Sequence, residues 1–368
     1  MRVLVLTPSF PRFKGDFHGG FIKSLCDELS GHVEVQVLAP RTRTMEPYDL
    51  GYPVQRFPYL PSRRMEYVAE STMKDAPGVN LAGLPAYLAS ALLHLLASDA
   101  DIIHTHLAIP LGNLALLSPV PQVITCHGSD LTYPLDNPQY LPFTRAALLK
   151  TGLVVTVSRY LEALAVKLGA DQQKVRTIYL GVDPSRFKPR KRTGPLNVGT
   201  LGRLVPLKRV GDLIHAARDL ERTHEVHLRI GGDGPSRRHL ESLAEKVGLE
   251  SYEFTGTVTD PVSFHQSLDV FVLCSSREGL SISLQEAMSC GAVPVAVDGC
   301  GCGELITHGE NGFLFKTGAV DDLAGVLRLA CDSASLGAKA RETILRGFDS
   351  RKNAPQYLDV YRELGHRF

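Results

Sequence analysis

Residues 270–298, VFVLCSSREGLSISLQEAMSCGAVPVAVD, carry the pattern that decides the fold. VFVLCSS (270–276) and VPVAVD (293–298) are short apolar runs rich in β-branched residues, as expected of strands buried on both faces. Between them, Gly279 argues against a helix through 278–280, so Glu278 belongs to a loop and Glu286 to the helix that follows. Strand, turn, helix and strand in this order is the repeating unit of a doubly wound α/β sheet. Ligands in such sheets bind beyond the carboxyl ends of the strands, so the turn that carries Glu278 is a candidate site.

The same alternation runs outward in both directions. Downstream of residue 197, NVGTLGRL (197–204), VHLRIGG (226–232) and YEFTGTV (252–258) read as strands, and 210–221, 236–248 and 321–332 as helices. Upstream, RVLVLT (2–7), VEVQVLAP (33–40), DIIHTH (101–106), PQVITCHG (121–128) and LVVTVS (153–158) form a second series, with a helix over 21–31. The segment 180–197, rich in Pro, Gly and basic residues, interrupts the pattern and reads as an interdomain connector. Two βαβα series in 368 residues predict two doubly wound α/β domains.

Composition narrows the class. A net charge of +1 gives no basic excess for nucleic acid, and 44% hydrophobic residues suffice for packed cores. The opening MRVLVLTPSFP lacks the pattern of a signal peptide. The apolar stretch 84–98 falls short of a membrane span. Seven scattered cysteines show no disulfide spacing. The expectation is a cytoplasmic protein.

Four loops after strands carry candidate chemistry, each with a plainer alternative. Gly19 and Gly20, at the end of TPSFPRFKGDFHGGF (7–21), either admit a phosphate or sugar oxygen to backbone N–H groups or simply form a turn. In LGRLVPLKR (201–209), Arg203 and Lys208 suit a diphosphate, or are a solvated basic pair. GGDGP (231–235) provides close backbone approach through Gly232 or a structural turn, and lacks the spacing of a dinucleotide fingerprint. Ser283-Leu-Gln-Glu286 fits a capping box, in which Glu286 would only close off backbone donors. Glu278 alone would read as a surface acid.

Taken together, these loops resemble the retaining glycosyltransferases of family 4, the group 1 glycosyltransferases. The resemblance covers nearly the whole chain, through Gly19-Gly20, DIIHTH, TCHGSD (125–130), TVSRYL (156–161), YLGVDPSRF (179–187), GRLVPLK, GGDGP, FTGTV, Glu278-x7-Glu286, EAMSCGAVPVAV and GENGFLF (309–315). It implies the GT-B fold, two Rossmann-like domains facing across a cleft. The implied domains are an acceptor-binding one over 1–185 and a nucleotide-sugar-binding one over 186–350; the tail, 351–368, is polar and aromatic, and its reading leaves open whether it packs back on the first. Arg203 and Lys208 would hold the donor diphosphate and neutralise the leaving group. Glu278 would bind the transferred sugar and Glu286 the ribose. Backbone N–H groups from Leu280 through Ser281 and Ile282 to Ser283 would reach sugar or phosphate oxygens, with Gly232 and Val258 also on the donor side. His127 would face the donor sugar, Gly19 and Gly20 would close over the phosphates, and His106 and Asp130 would lie toward the acceptor.

The implied reaction takes a hexose-type sugar from a nucleotide-diphosphate sugar to a glycan, lipid-linked or small-molecule acceptor. It needs no cofactor and no metal, since two cationic side chains and a helix N-terminus supply the positive charge. Nucleic acid is not an expected partner. Ser281 departs from the family pattern, which often has glycine there, and Leu207 stands where glutamate is frequent. The aromatic and basic segment 56–67 reads as an ordinary loop, or as a peripheral contact with the inner membrane face.

Other residues are set aside. Asp99-Ala-Asp101 precedes a strand, at the wrong end for a ligand. Cys290, Cys300, Cys302 and His308 lack a usual zinc spacing. His104 and His106 are read as pointing apart, the first into the core and the second toward the other layer or the cleft. Two rival classes differ in kind: a nicotinamide-dependent dehydrogenase, disfavoured by the missing fingerprint, and a non-catalytic nucleotide-sugar-binding module of the same fold.

Overall fold

The computed structural model describes residues 1–16, 18–46, 48–60, 83–192 and 194–365. They form two compact units, one of Met1–Leu180 with the chain from Lys352 onward, the other of Gly181–Arg351. The basic segment 56–67 lies outside the described residues from position 61.

The first unit is built on seven parallel strands: β1 (Arg2–Leu6), β2 (Glu34–Pro40), β3 (Val54–Phe57), β4 (Ile102–His106), β5 (Gln122–Cys126), β6 (Leu153–Thr156) and β7 (Val175–Thr177). Their order is β3-β2-β1-β4-β5-β6-β7. Both faces are covered, which is why the strands read as continuous apolar runs. In β1, Val3 and Val5 belong to one core, together with Ile22 and Leu25 of the helix Gly20–Leu29. Leu4 and Leu6 belong to the other, with Tyr87, Ala91 and Leu95 of the helix Leu84–Leu96. The helix Gln356–Gly365 completes the first core by burying Tyr357, Val360, Tyr361 and Leu364.

The second unit has β8 (Leu196–Leu201), β9 (Val226–Gly231), β10 (Tyr252–Gly256), β11 (Val270–Leu273), β12 (Val293–Val297) and β13 (Phe313–Phe315), all parallel, in the order β10-β9-β8-β11-β12-β13. Val198, Leu228, Val270 and Val272 pack with Leu213, Ile214 and Ala217 of the helix Val210–Leu220. In each sheet the chain winds one way and then the other, reversing between β1 and β4 and between β8 and β11. These are the two switch points where ligand loops diverge.

Two expectations change here. β11 stops at Leu273 instead of running to Ser276, because Ser276 N–H donates to Leu207 O (3.1 Å) of the loop after β8. The segment expected as a connector is tied to the second unit for much of its length. Val182 N–H donates to Phe348 O (2.9 Å), Phe187 is buried, and Arg192 and Arg341 donate to the carbonyls of Cys290 and Phe187. All seven cysteines are unpaired, six of them buried. Among the described residues no helix is long and apolar enough to cross a membrane.

Candidate active site

In the first unit the loops after β1, β4 and β5 converge. Gly19 has φ of 68°, and a Cβ there would stand 2.4 Å from Ser9 O, so only glycine lets the loop fold back on itself. Gly20 faces open space and starts its helix. The loop is braced by Asp16, whose carboxylate accepts from Arg12 Nε (2.7 Å) and the His18 backbone N–H (3.2 Å). Burial pushes the Asp16 carboxyl up, but these hydrogen bonds overcome it and hold the group well below the usual range. Phe21 carries the loop to His127, with ring centroids 4.9 Å apart.

Behind His127 lies a ladder of imidazoles. His127 Nε2 and His106 Nδ1 share a hydrogen bond of 2.8 Å. The His106 and His104 rings stack at 4.4 Å. His104 is bonded on both nitrogens, to Tyr361 Oη and Thr125 Oγ1, each at 2.7 Å. The reading that His104 and His106 point apart is therefore corrected: residues two apart on a strand share a face. Burial lowers the pKa of His104 to about 3 and of His127 to about 4, the latter against the pull of Asp130. Burial also drives that of His106 well below its ordinary value. The ladder is neutral at pH 7. His106 is fully buried, so its route to a ligand runs through His127. Asp130, only 3% exposed, accepts from the backbone N–H groups of Ala108, His127 and Gly128 at 3.0–3.1 Å. It shapes the His127 turn.

In the second unit four loops are stitched together around the switch point. The loop after β8 is clasped by the glycine loop after β9: Gly202 N–H donates to Gly231 O (3.1 Å) and Leu204 N–H to Asp233 O (2.9 Å). A Cβ on Gly232 would lie 1.9 Å from Gly202 O, so Gly232 holds the Arg203 loop by backbone approach. The loop after β11 meets that of β8 through Ser276 and Leu207, and that of β12 through Gly301 N–H to Glu278 O (3.3 Å). A Cβ on Gly301 would stand 1.9 Å from Gly279 O. Cys300 Sγ donates to Ser276 O (3.7 Å), so this cysteine-glycine loop is a clamp.

This stitching brings Lys208 Nζ and Glu278 Oε1 into an ion pair across the switch point, their side chains 28% and 15% exposed. Arg203 is exposed on the same loop as Lys208. Val258 follows β10 at the sheet edge, half-buried. The helix Ile282–Ser289 starts beside Glu278, and its N-cap is Ser281, whose hydroxyl accepts from Leu284 N–H (3.2 Å). The capping-box alternative is thereby corrected. Ser283 lies inside the helix and its buried Oγ has no partner among the described residues, while Glu286 accepts from His265 Nε2 at 3.1 Å. The N–H groups of Ile282 and Ser283, at the start of this helix, have no preceding helical carbonyl to bond. Ser281 spends its hydroxyl on its own helix.

Asp99 and Asp101 are tied to the side chain and backbone N–H of Arg2, at the amino end of the sheet. Among the described residues no group of three His, Cys, Asp or Glu side chains is arranged to hold a metal ion. His265 carried no sequence signal, because its partner lies 21 residues away in the chain.

Two Rossmann-like α/β units, each with loops gathered at a sheet's switch point, define the GT-B class of fold. Sucrose-phosphate synthase from Thermosynechococcus elongatus shares it at a TM-score of 0.82, with 18% identity over 100% of both chains. HepE of Anabaena, solved with UDP-glucose, shares it at 0.77, with 19% identity over 98% of this chain and 99% of that one. Residues 20–186 match the family model of Glycosyltransferase Family 4 and residues 182–344 that of glycosyl transferases group 1. N-acetyl-alpha-D-glucosaminyl L-malate synthase of Bacillus anthracis is 25% identical over 287 residues, 72% of this chain and 75% of the relative. The chain belongs to the group 1 glycosyltransferases.

Proposed function

We propose that this chain is a retaining glycosyltransferase that moves a hexose-type sugar from a nucleoside-diphosphate sugar to a glycan, lipid-linked or small-molecule acceptor without a metal. The observation that carries the reading is the Lys208–Glu278 pair at the switch point of the second sheet, beside the start of the helix Ile282–Ser289. A diphosphate arriving there would take Lys208 and Arg203 as its counter-charges, and departure of the nucleoside diphosphate would be helped by those cations and the helix N-terminus. Glu278, released from Lys208, would accept from sugar hydroxyls near the reacting carbon, and Glu286 from the ribose. Val258 is assigned to the nucleoside side. From the first unit, His127 is assigned to a sugar hydroxyl as a neutral imidazole, and Gly19 and Gly20 to phosphate oxygens. The acceptor would attack the face from which the leaving group departs, through an oxocarbenium-like transition state, which gives retention without an enzymic nucleophile. The UDP-glucose bound in HepE and the aminosugar named for the Bacillus anthracis enzyme support the donor class.

The test is Glu278→Ala. Sugar transfer should fall by at least about 10²–10³-fold, the cost of removing a group that acts on developing charge, with nucleotide binding still measurable. Unchanged transfer would remove Glu278 from the chemistry.

A further inference from the structure

His265 lies in the short helix Pro261–Gln266, between β10 and β11, and its side chain is fully buried. Phe187, Phe264 and Phe271 pack around the ring, with centroids 6.3, 5.8 and 5.4 Å away. It makes one polar contact, Nε2 to Glu286 Oε2 at 3.1 Å, and Nδ1 has no partner among the described residues. A carboxylate has only acceptors, so the proton belongs on Nε2 and the lone pair on Nδ1. The opposite tautomer would bury an orphaned N–H, which folded proteins tolerate far less readily than an under-used acceptor. Within this aromatic cage the Nε2–H of His265 is aimed at one oxygen of Glu286. The Glu286 carboxylate makes no other side-chain hydrogen bond or ion pair among the described residues and keeps 17% exposure.

We propose that His265 is the positioning residue for Glu286: it pins Oε2 so that Oε1 is presented, in a fixed orientation, to the vicinal hydroxyls of a bound ribose. The inference rests on the reading of Glu286 as the ribose contact given above. It adds a reason for the carboxylate's aim. A glutamate on a helix has three side-chain torsions, and without an anchor the ordering cost would fall on nucleotide binding. It also assigns a use to a buried imidazole whose Nδ1 has no partner among the described residues.

The experiment compares affinities of UDP, GDP and ADP with their 2′-deoxy counterparts, for the full chain and for the variants His265→Phe, His265→Gln and Glu286→Ala. In the unaltered protein, the preferred ribonucleotide should bind on the order of tenfold more tightly than its deoxy form. His265→Phe keeps the apolar packing but loses the donor, and should lower that ratio to about one, as should Glu286→Ala. His265→Gln retains an N–H near the Nε2 position and should restore most of the preference. A merely structural role would weaken both nucleotides alike and leave their ratio intact. Full ribose preference in His265→Phe, with loss of it in Glu286→Ala, would overturn the positioning role alone. Absence of the preference from the unaltered protein, or its persistence in Glu286→Ala, would instead remove the ribose reading and this proposal with it. Nitrogen-15 spectra of labelled histidine supply an arm that needs no nucleotide and no folded Phe variant. The signals missing in His265→Gln should belong to an Nε2–H tautomer. An Nδ1–H tautomer would overturn the proposal.

Discussion

Beside the switch point of the first sheet runs a ladder of imidazoles that burial has stripped of charge: His104, His106 and His127. Around that of the second are side chains of opposite formal charge: Arg203, Lys208, Glu278 and Glu286. The sheets obey one topological rule, so the difference comes from what surrounds each loop. The histidine ladder is wedged between β5 and the tyrosines of the helix Gln356–Gly365, and an imidazole sheds its proton there at small cost. Lys208 and Glu278 sit on loops with part of each side chain exposed and answer one another's charge.

Acid breaks this contrast most strongly. His127 and His104 titrate near 4 and 3 in the folded chain against an ordinary 6.5. Between pH 6.5 and about 4 the unfolded chain takes up protons that the folded ladder refuses, so stability falls as pH drops through that window and is indifferent to pH above it. Asp16, a carboxyl held down by its hydrogen bonds, changes stability in the same direction but only below the ordinary 3.8, so it stays silent in that window. Amide exchange, corrected for intrinsic rates, should show β4 and β5 opening between pH 6.5 and 4.5 more than β11 and β12. Equal loss of protection in both units would contradict the neutral ladder.

A finer contrast lies within one helix turn of the charged site. Ser281→Ala removes the N-cap and should cost about 1 kcal/mol in urea unfolding. Ser283→Ala removes a buried hydroxyl without a partner and should stay within about 0.5 kcal/mol, or stabilise. The reverse order would restore Ser283 as the cap.

How much of this was legible follows burial and chain distance. Inner strands such as β1, β5 and β12 are apolar on both faces and stand out in the sequence. β3, β7 and β13 are edge strands of three or four residues that sequence patterning passed over, since an edge needs less apolar surface. Glu278 was placed in its loop by Gly279. Glu286 lay correctly in its helix, but the cap was sought two residues too late, because Ser281 and Ser283 look alike until the backbone shows which one precedes the first turn. His104 and His106 were legible as a strand pair, and strand periodicity should have put them on one face. His265 was not legible, as no local spacing links it to a carboxylate 21 residues on. Gly232 and Gly301 were visible as glycines, while the backbone oxygens they accommodate belong to other loops.

The central claim is that the loops of the second unit form a metal-independent nucleoside-diphosphate site. Calorimetric titration with UDP, GDP and ADP in the presence of EDTA tests it, on the unaltered chain and on the double variant Arg203→Ala, Lys208→Ala. One of the three should bind with EDTA present, and the double variant should weaken it by on the order of 10²-fold, the loss expected for two charge-assisted contacts. Binding of none of them by the folded protein, or an affinity unchanged by the double variant, would contradict the account.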